Sequence, residues 1–557
     1  MNSTVKIFCK NLNRYLEVEG GSSLIDIYNS VKEEIQIFPI CARVNNKNEG
    51  LGYVIYGPKQ IEFLDRYSPS GTRVYVRSLC MVLYKAVKNL YPSLRLRMQH
   101  SVSRGYFCTL SGDNFTITPE VVKAIKDEMQ LIIDTNIPFR RHEKLTTDVI
   151  ELFRNQGLND KVNLLETSKN LYTTYYTLGE TADSYYSALA PSTGVLKDFD
   201  LQPYQHGMLL LAFNADTKSG AQTPIEQKKM FDAFTTYTSF NKIIGVDDVG
   251  ALNKVVLNKE VSMLINVVEA LHFKVFSDIA AEIVRRNRDR GAKIVLVSGP
   301  SSSGKTTSTK RLAIQLMTNL VTPKMISLDN YFVNRVNTPL DENGDYDYES
   351  LYALDLQQFN ADLEALLRGE EVALPTYNFE LGERQYKGNT LRLDENDVLI
   401  IEGIHGLNPE LTANIPDNQK FKIYVSALTT LTIDDHNWVP TSDNRLLRRI
   451  IRDYKYRGVS ATETIRRWAS VRAGEEKWIF PYQEYADATV NSSLLFELGV
   501  MKDYVEPVLR SVPHNVPEYA EAIRLRTFLD YFVSISEHQV PSTSLLREFL
   551  GGSSFHY

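Results

Sequence analysis

Apolar residues along this chain change their spacing several times, and each change marks an element. Thr4–Cys9 and Tyr15–Val18 read as strands; Gly20 and Gly21 then turn the chain, and Ser22 or Ser23 caps a short helix from Leu24. Thr118-Pro119-Glu120 opens a second helix, with a capping threonine, a proline whose missing N–H costs nothing at the first helical position, and an acid in the first turn. Val121, Ile125, Met129 and Ile132 then fall on one face. From Lys259 to Arg288, Val261, Leu264, Ile265, Val268, Leu271, Val275, Ile279 and Ile283 repeat at helical spacing, and Gly291 follows. The closing Arg285-Arg286-Asn287-Arg288 suits the negative end of the helix dipole better than a nucleic-acid contact.

Residues 294 to 307 carry the most specific signal. An apolar run rich in β-branched residues leads into Gly299, Pro300, Ser301, Ser302, Ser303, Gly304, Lys305, Thr306 and Thr307, and helical spacing resumes from Ser308 to Leu320. A strand, a glycine-rich turn and a helix are the context in which this pattern is a P-loop. The turn aims backbone N–H groups inward, and with the helix N-terminus they hold phosphate oxygens. Lys305 can reach the β- and γ-phosphates of a nucleoside triphosphate, and the Thr306 hydroxyl is placed for Mg²⁺.

Four later stretches say which kind of P-loop protein this is. Met325 to Leu328 reads as a strand ending in Asp329, an acid placed in the ligand crevice and able to accept a proton from an attacking hydroxyl. Leu374 to Phe379 interleaves Tyr377 and Phe379, two rings that suit either a flat substrate or a core. Val398 to Ile401 is a buried strand ending in Glu402, the Walker B arrangement for Mg²⁺. Arg445, Arg448, Arg449, Arg452 and Arg457 cluster on a helix; beside a triphosphate, guanidinium groups close over the phosphates and stabilise charge in transfer.

Composition narrows the setting. At 557 residues the chain has room for three or four domains. A net charge of −6 disfavours a polyanion partner. Cys9, Cys41, Cys80 and Cys108 lack the spacing of a zinc site or disulfide framework and suit reduced, buried thiols. With no signal-peptide core and no apolar run near ~20 residues, a cytoplasmic protein is expected. Self-association is left open.

The elements from about 291 to 492, in this order, resemble the uridine–cytidine kinase family, close kin of phosphoribulokinase. The resemblance implies ATP and Mg²⁺, a doubly wound parallel sheet, and a nucleoside accepting the γ-phosphate on its 5′-hydroxyl. It makes Asp329 the general base, Asp347 the ribose ligand and Glu402 the Walker B acid. Tyr377, Phe379 and Arg384 become acceptor-site residues, and Arg449, Arg452 and Arg457 lid arginines. Two departures matter. Gly382 stands where the family has a base-reading histidine, and Val459 where it has a base-reading arginine. Missing donors and the room left by Gly382 imply weak base discrimination, or a bulkier or less polar base.

The N-terminal half resembles two modules of threonyl-tRNA synthetase. Residues 1–66 resemble its TGS domain, a β-grasp fold. Residues 67–250 resemble its α+β editing-type domain, through Gln99-His100-Ser101, the Thr118-Pro119-Glu120 helix and Pro191-Ser192-Thr193-Gly194. Of the four metal ligands of that domain only His100 remains, with Arg104, Tyr185 and Leu189 at the other positions, so a scaffold without zinc or editing activity is expected. A linker helix over 251–290, the kinase domain over 291–495 and an uninterpreted extension over 496–557 complete the division. Two alternatives stand beside a nucleoside kinase: a kinase of another small acceptor, and an ATP-binding regulator docked on tRNA or ribosomes.

Overall fold

The computed structural model describes residues 4–341 and 344–556. The P-loop strand Ile294–Ser298 is the middle of a five-stranded sheet, in the order Thr322–Ser327, Asp397–Glu402, Ile294–Ser298, Lys420–Ser426, Ala488–Asn491. Every neighbouring pair is parallel. Apolar cores cover both faces, which is why Ile294 to Val297 and Val398 to Ile401 are apolar at every position rather than alternating. One face packs on the P-loop helix Lys305–Thr318 and the end of the helix Val261–Arg290. The P-loop helix begins at Lys305, three residues before its apolar spacing becomes regular.

Residues 251–290 are not one helix. Val249–Leu257 and Val261–Arg290 are separate, broken at Lys259, whose φ of 66° takes the chain through the left-handed region. Further upstream, Thr4–Cys9 and Arg14–Glu19 join a five-stranded sheet with the helix Leu24–Val31, capped by Ser23 in a capping box with Asp26. Next, the helix Pro69–Leu90 packs beside a four-stranded antiparallel sheet. His100 lies in that sheet, stacked on Phe234 with ring centroids 3.6 Å apart, and burial pulls its pKa down to about 3. Tyr185 and Leu189 are likewise buried, and all four cysteines are buried and unpaired.

The two halves interlock through a hairpin after Lys420–Ser426, with strands Thr432–Asp434 and Asn437–Trp438. Lys161 lies 2.9 Å from Asp183 and 2.9 Å from Asp434 of the hairpin, all three buried. His436 meets Asp183 at 2.8 Å, and Asp435 pairs with Arg95. No helix among the described residues is long and apolar enough to cross a membrane.

Candidate active site

The P-loop closes through three local constraints. A Cβ at Gly299 would overlap the Val425 carbonyl oxygen of the neighbouring strand, so only glycine fits. Ser302 and Gly304 have φ of 57° and 83°, which curls the loop so that its amides converge at the start of the P-loop helix. Buried side chains then pin the loop backbone from outside. Glu475 accepts the Ser301 N–H at 3.1 Å and is itself held by Arg445 at 2.8 Å. Arg445 and Arg448 donate to the carbonyls of Ser301 and Ser302 at 3.1 and 3.4 Å, and Ser492 donates to that of Ser303. Arg445 and Arg448 are 1% and 0% exposed, which makes them fixtures of the loop rather than a mobile lid.

A cleft of about 1390 Å³ opens above this loop. Lys305 and Thr306 stand at its floor, with Asp329 and Glu402 at the ends of the two adjacent strands. Asp329 lies in a short 3-10 turn, Leu328–Tyr331, where its N–H donates to Ser327 Oγ at 3.3 Å and its carboxylate is exposed to the cleft. Glu402 is half-buried, and among the described residues its carboxylate accepts the Thr306 hydroxyl at 3.5 Å. Burial pushes its pKa up to about 7 against the pull of Lys305. A half-buried carboxylate with a raised pKa, beside a hydroxyl, fits a divalent cation with oxygen ligands.

Arg449, Arg452 and Arg457 form the wall opposite, on the helix Thr441–Arg457. All three gather on Asp453, at 3.2, 3.2 and 3.4 Å, and Arg449 also donates to Ser301 Oγ at 2.9 Å. The spacing of Arg449 and Arg457, four residues either side of Asp453, was a readable signal. Glu349 lines the same cleft, and burial pushes it up to about 7.

The far end holds Asp347, Tyr377 and Phe379, with Phe332 joining the ring cluster. Tyr377 and Phe379 are edge-on, centroids 5.0 Å apart, and Phe332 stands 5.6 Å from Tyr377. Arg384 is drawn aside: it pairs with Asp355 at 2.8 Å and is absent from the cleft lining. Gly382 does not leave room. It has φ of 71°, and a Cβ there would come within 2.8 Å of Arg335, whose N–H donates to the Gly382 carbonyl at 2.8 Å. The Arg335 side chain lines the cleft and donates to the Phe379 carbonyl at 2.5 Å. A guanidinium from a distant turn thus fills the space beside Gly382, which no local spacing signals.

Comparison with known proteins points the same way. Residues 294–494 match the model of the Phosphoribulokinase / Uridine kinase family. A uridine kinase of Brevibacillus brevis is 30% identical over 198 residues, covering 35% of this chain and 83% of that protein. One of Bacillus pumilus is also 30% identical over 198 residues, covering 35% and 85%. Among solved structures, a putative fructose transport system kinase from Silicibacter is 20% identical with a TM-score of 0.29, covering 39% of this chain and 98% of that one.

Proposed function

Because the chain belongs, through residues 294–494, to the phosphoribulokinase / uridine kinase family, we propose that it phosphorylates the 5′-hydroxyl of a nucleoside with ATP. The class, an ATP-dependent phosphotransferase, is that of its uridine kinase relatives. One observation carries the finer reading: a proton acceptor, a phosphate cradle and an aromatic acceptor pocket line a single cleft.

In this reading the P-loop amides and Lys305 hold the triphosphate, and Asp329 takes the proton from the attacking hydroxyl. Asp347 orients the ribose, and Tyr377, Phe379 and Phe332 pack on the base. Arg449, Arg452 and Arg457 leave Asp453 for the phosphates as charge builds. Mg²⁺ would be held by Thr306 and Glu402 and would neutralise charge on the phosphates. The N-terminal half is, in this reading, a TGS-like module and an editing-like scaffold.

Arg335 changes the specificity argument. A guanidinium at the acceptor end supplies donors that Gly382 lacks, and donors left unpaired penalise an analogue without matching acceptors. It also keeps open a second reading, a smaller oxygen-rich alcohol as acceptor. ADP release measured with ATP against uridine, cytidine, adenosine, guanosine, inosine and ribose-type sugars separates the two. Turnover only with a sugar would replace the nucleoside. ATP binding without turnover on any acceptor would leave a regulator.

A further inference from the structure

Beyond the family match, the chain runs through the helices Glu497–Arg510 and Tyr519–Leu529 and then returns to the phosphate end of the cleft. Leu545, Leu546, Phe549 and Leu550 are buried in one core with Leu446, Leu447 and Ile450 of the arginine-bearing helix. Polar contacts fix the segment on both sides. Arg311 of the P-loop helix donates to the Thr543 carbonyl at 2.7 and 2.9 Å, and Lys455 donates to the Leu550 carbonyl. Leu545 presses so closely on the P-loop turn that a Cβ at Gly304 would come within 2.7 Å of it.

This packing delivers a carboxylate to the phosphate site. Glu548 Oε2 accepts the Thr307 N–H at 3.2 Å and the Thr307 hydroxyl at 2.6 Å. Thr307 is the third residue of a 14-residue helix that follows a glycine turn, where backbone amides and the helix dipole favour an anion. Glu548, Gly551, Gly552, Ser553 and Phe555 also line the cleft itself. A nucleotide phosphate and a glutamate carboxylate both carry negative charge, and one N–H and hydroxyl pair cannot serve both at full strength.

We propose that the C-terminal segment is a built-in competitor of the nucleotide: Glu548 sits on Thr307 in place of a phosphate oxygen and is displaced when a triphosphate enters. The proposal rests on the reading of this cleft as a nucleotide site. Displacement is felt at the lid, because Lys455, which holds Leu550, lies two residues from both Asp453 and Arg457. The segment therefore couples filling of the phosphate site to the position of the arginine-bearing helix.

The test uses the full-length protein, its Glu548→Gln and Glu548→Ala variants, and a non-hydrolysable ATP analogue with Mg²⁺. Glutamine keeps the hydrogen bonds and loses the charge; alanine loses both. Calorimetry should give dissociation constants that tighten from wild type to Gln to Ala, by at least tenfold overall. Amide exchange across residues 543–556 of the wild type should rise when the analogue binds. Equal or weaker binding in both variants, with the wild type binding measurably, would overturn the competitor while leaving the nucleotide site intact. Binding to none of the three would overturn the nucleotide reading and this proposal with it.

Discussion

Replacing Glu475 by leucine probes how far the phosphate cradle depends on charge buried outside it. Glu475 is 0% exposed, and its carboxylate holds Arg445 at 2.8 Å, Arg472 at 3.0 Å and the Ser301 N–H at 3.1 Å. At 2.8 Å and an effective dielectric of ~20, the attraction to Arg445 alone is about 6 kcal/mol, offset by several kcal/mol of desolvation for each ion. Leucine removes the attraction and leaves the buried Arg445 charge unmatched, so a loss of about 3–5 kcal/mol of stability is expected. Ser301 loses its acceptor at the same time, and the KM for ATP should rise at least tenfold. The double variant Glu475→Leu, Arg445→Met removes the orphaned charge and should recover more than half of the lost stability, while the KM stays high. Urea unfolding and initial rates read the two effects separately. The reasoning fails if Glu475→Leu stays within about 1 kcal/mol of wild type, or if the double variant is no more stable than the single one. Burial works to raise the Glu475 pKa, but Arg445 outweighs it and holds the group below the usual range. Its contribution is therefore present above the ordinary glutamate pKa and lost as pH falls through the depressed one.

Four further outcomes are expected. Glu402→Gln should weaken the apparent Mg²⁺ affinity at least tenfold in rate titrations, and EDTA should abolish turnover of the wild type. Asp248, capping the helix Val249–Leu257 through the Ala251 N–H at 2.8 Å, is pushed up to about 6 by burial. A raised carboxyl favours the fold below its unfolded pKa and loses that as pH rises through 6; Asn caps equally well without the charge. Asp248→Asn should thus gain about 1–3 kcal/mol at pH 8 and nothing at pH 3, read from thermal unfolding at both. Lys161→Met leaves Asp183 and Asp434 facing each other in the interior and should cost about 3–5 kcal/mol, with faster proteolysis at the hairpin that joins the halves.

The sequence carried the phosphate end of the site plainly, because strand, glycine turn and helix are adjacent in the chain and each has its own spacing. The strand-end positions of Asp329 and Glu402 and the helix that carries Arg449, Arg452 and Arg457 were readable for the same reason, since strand ends and helix faces are local properties. Residues that act across the fold left no such trace. Glu475 reads as one more charge on an exposed-looking helix, yet it is buried under the P-loop. Arg335 lies in a turn far from Gly382 in sequence, and only the fold brings them together. The break at Lys259 was hidden because a left-handed φ at a lysine has no compositional mark. The C-terminal segment was uninterpreted because its apolar residues belong to a core assembled from several distant parts of the chain.

The central claim is phosphoryl transfer to an alcohol with Asp329 as proton acceptor. It is tested most directly by ³¹P NMR of the product formed from ATP and the best acceptor, by wild type and by Asp329→Asn. A nucleoside 5′-monophosphate is expected from the wild type, with turnover lowered about 10²–10⁴-fold in the variant while ATP binding persists. Equal turnover by the two, or inorganic phosphate as the only product, would contradict it.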